Sequence, residues 1–100
     1  MRQNLWAWSG EYVGYRDGDN LWLKNGKHMG KFHENEVYDK DGHYMGEIKN
    51  EKRLIYNIGK SGRRKYAFAP YGNRCGINYG NYGAYGMYGG YKDFPLKKYL

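Results

Sequence analysis

The chain has one cysteine in 100 residues, Cys75, so no disulfide can form within it. Such a composition suits a reducing compartment, and a cytoplasmic location is the expectation. No run of 18 apolar residues exists to cross a membrane as a helix, so no membrane partner is expected. The opening stretch MRQNLWAWSGEYVGYRDGD lacks the unbroken apolar core of a signal peptide. Histidine is also scarce. His28 is the second residue after its local glycine and His43 the first, while His33 stands apart. These spacings do not match a metal-ligand set, so neither metal nor cofactor is expected. Cys75 has Arg74 beside it but no histidine nearby in sequence, and Asp41 is better explained as a turn residue than as half of a carboxylate pair with Asp39. The run Gly59-Lys60-Ser61-Gly62 lacks the spacing of a phosphate-binding loop. With no catalytic constellation, the expectation is a protein that is not an enzyme. Acid is scarce only in the second half. Residues 1–50 hold 7 Lys+Arg and 8 Asp+Glu, whereas residues 51–100 hold 10 and 2, which together give the net +7.

What the chain does have is a pattern used three times at intervals of 16. The copies are LWAWSGEYVGY from Leu5, LWLKNGKHMGK from Leu21 and VYDKDGHYMGE from Val37. Trp6, Trp22 and Tyr38 keep the interval. So do Gly10, Gly26 and Gly42, and again Gly14, Gly30 and Gly46. Each copy sets Ser-Gly, Asn-Gly or Asp-Gly between two short apolar runs, the strongest local signal for a two-residue hairpin turn. Ser9 fits it least and could mark a different turn. That turn places Trp6 opposite Val13, Trp22 opposite Met29 and Tyr38 opposite Met45. On the other face Leu5, Leu21 and Val37 fall opposite Gly14, Gly30 and Gly46. A glycine recurring inside a strand implies a bend or close approach by a neighbouring hairpin.

Short polar connections at 16–20, 33–36 and 49–52 join the copies into an antiparallel meander. A fourth, altered copy is expected: strand 54–58, turn 59–62, return strand 63–69, ended by Pro70. The fold class is therefore all-β, four repeated antiparallel hairpins in a pseudo-fourfold rosette or small barrel, with no helix. The expected division is a repeated-hairpin domain over 1–70 and a Gly/Tyr-rich extension over 71–100. A core of about 70 residues is marginal alone, because such a chain buries only roughly 60% of its unfolded surface. In the extension Tyr79, Tyr82, Tyr85, Tyr88 and Tyr91 recur every third residue. That interval fits an extended threefold helix or disorder and not a strand. The closing Asp93-Phe94-Pro95-Leu96 is apolar enough to dock.

The run from Asn25 to Ile58 resembles the bacterial four-fold beta flower family, whose short repeated hairpins carry a GKHxG motif followed by YDxxG. Here these are Gly26-Lys27-His28-Met29-Gly30 and Tyr38-Asp39-Lys40-Asp41-Gly42. The Gly/Tyr-rich tail running to Asp93-Phe94-Pro95 is similar to that of some relatives. Lys31 departs from the pattern, which has an aromatic there. The resemblance spans residues 5–69 and implies a small all-β domain of pseudo-fourfold arrangement. Its motifs are structural, so it carries over no functional residue.

Three functions remain open. One is a small binding or scaffold module with an unidentified protein partner. The second is anion or nucleic-acid binding through the basic stretch: Lys52, Arg53, Lys60, Arg63, Arg64, Lys65 and Arg74 occur with no acid between them. Tyr56, Tyr66, Phe68 and Tyr71 are interleaved. Cations that track a backbone and rings that stack on bases make up a single-strand binding surface. The same cations would equally suit a solvated strand edge protected against aggregation. The third is self-association through the Tyr/Gly tail, whose rings could instead pack on the domain's own apolar face.

Overall fold

The computed structural model describes residues 2–100. Its core elements are seven strands, β1 (Arg2–Ala7), β2 (Tyr12–Asp17), β3 (Asn20–Leu23), β4 (His28–His33), β5 (Glu36–Asp39), β6 (Tyr44–Lys49) and β7 (Arg53–Asn57). Each pairs antiparallel with the next, and β7 closes on β1 in parallel through Trp6 opposite Arg53 and Ala7 opposite Leu54. The result is a closed seven-stranded barrel, which leaves few unpaired edges. Side chains alternate as strands require. Leu5, Ala7, Leu21, Leu23 and Val37 fill the core, while Trp6, Trp22 and Tyr38 lie on the outer side.

The hairpins form where the repeat places them, but their turn differs from the expected one. In all three, the tip glycine N–H bonds back three residues, from Gly10 to Ala7, Gly26 to Leu23 and Gly42 to Asp39. Ala7, Leu23 and Asp39 in turn donate to the carbonyls of Glu11, Lys27 and His43. Each loop therefore has three residues, with positive φ at the glycine (101°, 89° and 86°) and not at Ser9, Asn25 or Asp41. This is the three-residue hairpin with a left-handed glycine, and Ser9 accommodates it like the others. A bulge follows in every copy. It makes Val13, Met29 and Met45 the extra residues and moves the outer rings' partners by one. Trp6 thus faces Tyr12, Trp22 faces His28 and Tyr38 faces Tyr44: each outer ring meets another ring, where an aliphatic partner was expected. Val13 and Met45 turn into the core instead. The inner pairing holds, with Leu5, Leu21 and Val37 opposite Gly14, Gly30 and Gly46.

Those glycines do sit at close approaches. A Cβ on Gly30 would lie 2.7 Å from Val37 Cγ2, and one on Gly46 would lie 2.8 Å from the Phe94 ring. Gly14 is pressed against the Trp22 carbonyl of the next hairpin.

The fourth hairpin does not form. After β7 comes a single 3-10 turn, Ile58–Lys60, and residues 63–69 build no return strand. The reason is that both sides of β7 are already taken. One side holds β6. The other holds β1 at Arg53 and Leu54, then a short late strand, β8 (Tyr91–Asp93), opposite Ile55, Tyr56 and Asn57. The last residues form one helical turn, α1 (Leu96–Tyr99), although no helix was expected. Phe94 and Leu96 enter the same core as the barrel residues, so the expected boundary at residue 70 does not separate two cores. Among the described residues no helix is long and apolar enough to cross a membrane.

Candidate functional site

Between Arg63 and Gly90 the chain runs round the outside of the barrel as a strap almost devoid of regular structure. It visits the three hairpin tips in reverse order and makes the same pair of hydrogen bonds at each. Lys65 N–H donates to the Gly42 carbonyl and Phe68 N–H to Lys40. Arg74 then bonds Gly26, and Ile77 bonds Lys24. Last, Tyr82 bonds Gly10, and Tyr85 bonds Trp8. The six distances lie between 2.7 and 3.1 Å. A Cβ on Gly10, Gly26 or Gly42 would collide with the strap carbonyl of Tyr82, Arg74 or Lys65. Each tip glycine thus serves twice, in the turn and as the gap through which a second backbone approaches.

Side chains follow the same threefold scheme. The outer rings at 6, 22 and 38 are each covered by the strap residue that bonds the tip. Tyr82 lies 4.3 Å from Trp6, the Arg74 guanidinium 3.9 Å from Trp22, and Lys65 Nζ 5.9 Å from Tyr38. The tyrosine period of three has a matching cause. Tyr79 rests on Tyr12, Tyr82 on Trp6, and Tyr85 and Tyr88 on Trp8, with ring centroids 4.3 to 5.6 Å apart. The indole N–H groups of Trp6 and Trp8 bond the strap carbonyls of Gly80 and Gly86. The four tyrosines nevertheless stay between 42% and 49% exposed. They form a row of held rings rather than loose ones.

The basic stretch, contiguous in sequence, is spread over separate surroundings. Arg53 is only 2% exposed; its Nε and Nη2 donate to the carbonyls of Ala7, Trp8 and Gly83. Lys60 bonds Glu36 and Glu47, both at 2.7 Å, and Arg63 bonds Glu36 at 2.8 Å. Arg74 bonds Asp17 at 3.0 Å and also Tyr15. Arg64 lies against the His43 ring, and Tyr66 is 98% exposed. Lys52 reaches the Tyr82 hydroxyl. A single basic stripe with interleaved rings is therefore not what these residues build. Tertiary contacts supply the acids that the stretch itself lacks.

The Lys60 network lines a cleft of about 710 Å³ with His33, Glu34, Asn35, Ile48 and Lys65. Its two carboxylates face each other directly across β5 and β6. Tyr38 and Tyr44 donate to them at 2.7 and 2.8 Å. Burial alone would raise the Glu36 carboxyl, but bonds from Lys60 and Tyr38 outweigh it and hold it below the usual range. The hydrogen bonds to Glu36 and Glu47 in turn hold the Lys60 ammonium above its ordinary value. Within this network each carboxylate and the ammonium has a hydrogen-bonded partner.

His28 sits differently from His43, as their places in the repeat imply. It is 3% exposed, stacked between Trp22 and Tyr71, and its Nδ1 accepts the Tyr71 N–H at 2.9 Å. Burial lowers its pKa, and the nearby charges of Lys31 and Arg74 act in the same direction. Cys75 is exposed, and among the described residues no group of His, Cys, Asp and Glu is arranged to hold a metal ion.

Sequence reasoning missed the tip carbonyls and the residues that meet them. The one available signal was that Tyr12, His28 and Tyr44 share the 16-residue interval with the outer rings they face.

A family model described as 4-fold beta flower protein matches residues 1–74, and the chain belongs to this family. No curated protein and no solved structure matches it.

Proposed function

We propose that this beta flower protein is a small non-enzymatic binding module, and that the outer face of its strap meets the partner. One observation carries this reading: four half-exposed tyrosines are held in a row by rings and carbonyls beneath them. Rings ordered before binding lose little conformational freedom on contact, and tyrosine offers large amphipathic area. The satisfied ion network of the large cleft speaks for a structural role there, which leaves the strap as the better-suited surface.

The test is a titration of isotope-labelled protein with single-stranded oligonucleotides, an acidic peptide and a peptide copying residues 77–91, followed by NMR. Shifts confined to residues 79–88, weakened in a Tyr85→Ser and Tyr88→Ser double variant that still folds, are expected with at least one probe. Shifts centred on His33 and Lys60, or none with any probe, would end this reading.

Nucleic-acid binding through residues 52–74 and self-assembly through the tail remain alternatives with their own outcomes. Oligonucleotide affinity that falls steeply with salt, with a slope flattened by Arg63→Ala and Arg64→Ala, would favour the first. A particle mass that falls when residues 77–100 are removed would favour the second. The seating of Phe94 and Leu96 in the core predicts that this truncation unfolds the chain instead.

A further inference from the structure

Arg53 carries a charge that its surroundings do not neutralise. It is almost wholly buried, yet it pairs with no carboxylate among the described residues. Its three acceptors are backbone carbonyls, which offer dipoles and no net charge. A buried cation without a counter-charge is costly, and native proteins seldom keep one for packing alone. One end of the guanidinium, Nη1, makes no hydrogen bond within the described protein.

The same residue lines a cleft of about 340 Å³ with Lys52, Tyr82, Gly83, Ala84 and Tyr85. No acidic side chain contributes to it. Two cations therefore converge on one ring: Lys52 Nζ lies 4.5 Å and the Arg53 guanidinium carbon 6.0 Å from the centre of Tyr82. The guanidinium lies 4.0 Å from the Tyr85 ring. The N–H groups of Gly83 and Ala84 likewise donate to nothing within the described protein. Like charges brought together with unused donors form the chemistry of an oxyanion site, because guanidinium, ammonium and backbone N–H all favour phosphate oxygens.

We infer that the cleft between β7 and the strap binds a phosphate group, held by Arg53 and Lys52 with Tyr82 and Tyr85 as its walls. This deepens the strap-face reading by naming a ligand chemistry for one end of it. The phosphate could be free or carried on a small organic ester, and the experiment separates the two.

The full chain, isotope-labelled at low salt, is titrated with sodium phosphate, adenosine 5′-monophosphate and adenosine. Phosphate and the monophosphate are expected to shift the Arg53 Nε–H, Gly83 and Ala84 signals saturably, and adenosine is not. Tighter binding of the monophosphate assigns an ester, and equal binding assigns the free ion. Lys52→Gln, at an exposed position, should weaken binding about tenfold while the chain still unfolds in one cooperative transition, and Arg64→Gln should leave binding unchanged. The inference fails if chloride at equal ionic strength reproduces the shifts, or if adenosine binds as well as its phosphate. Equal weakening by Arg64→Gln, or no saturation at all, would also overturn it. Loss of the phosphate response while oligonucleotide or peptide shifts persist at 79–88 would remove this site and leave the wider surface standing.

Discussion

The barrel and the strap are built on opposite plans. The barrel, residues 2–57, is a ladder in which each strand holds the next along its length. The strap from Arg63 to Gly90 has almost no ladder and bonds the barrel mainly at three points, with two backbone hydrogen bonds at each. The barrel repeats at an interval of 16, whereas the strap meets the tips at residues 65, 74 and 82. A regular scaffold thus offers three equivalent carbonyl pairs, and an irregular segment of varied side chains uses them all. The difference teaches that repetition need exist on one side only, because backbone accepts backbone whatever the side chains are. Segments with few ladder bonds and much exposure open at lower free energy than a closed sheet.

The sharpest way to break this contrast is to remove what anchors the strap's far end. Phe94→Ala empties a ring site in the shared core, and such truncations cost about 3–5 kcal/mol. Urea unfolding should show that loss as one cooperative transition. A strap that melts away while the barrel's transition stays put would mean the tail is no part of the core. Gly26→Ala attacks a single tip. It forces a side chain into the left-handed region, at about 1–2 kcal/mol, and into the Arg74 carbonyl besides. Amide exchange should rise at Arg74 and Ile77 and stay slow in β1 and β2. Unchanged protection at Arg74 would show that the tip does not hold the strap.

A pH titration addresses the join between the two regions at His28. Its folded pKa lies below 6.5, so the folded state resists protonation more than the unfolded chain. Its contribution to stability is complete above 6.5 and declines as pH falls below that value. Protonating Nδ1 also removes the acceptor of the Tyr71 N–H. The melting temperature should fall between pH 7.5 and 5, and His28→Gln should flatten that slope. An equally steep slope in the variant would place the titrating group elsewhere. The smallest effects come from positions where neither region constrains the other. Glu34 holds φ of 59° where Gly18 stands in the preceding connection, so Glu34→Gly should stabilise by about 1 kcal/mol. Gly62 has open space around it, so Gly62→Ala should change stability by no more than about 1 kcal/mol.

Much of the barrel could be read from residues alone. The outer rings at 6, 22 and 38 and the inner pairing of Leu5, Leu21 and Val37 with glycines follow from the interval. The turn was less legible, because x-Gly suits a two-residue and a three-residue loop alike. Choosing the shorter one shifts each outer ring by one partner. Residues 63–69 read as a strand because they carry β-compatible side chains after a turn. Nothing local announces that β1 and β8 already occupy the edge they would need. The candidate cations suffered in the same way. Lys60, Arg63 and Arg74 lack acids in sequence but find Glu36, Glu47 and Asp17 in space.

The sequence by itself determined the all-β repeat, the places where the chain reverses and the rings that share an environment. All of these depend on side-chain type and spacing within one hairpin. The tertiary structure alone decided which segment fills the free side of β7, how the strap travels and which charges are left without partners. Those outcomes depend on competition for backbone carbonyls and N–H groups. Every residue except proline carries both, so no residue type marks in advance which will win.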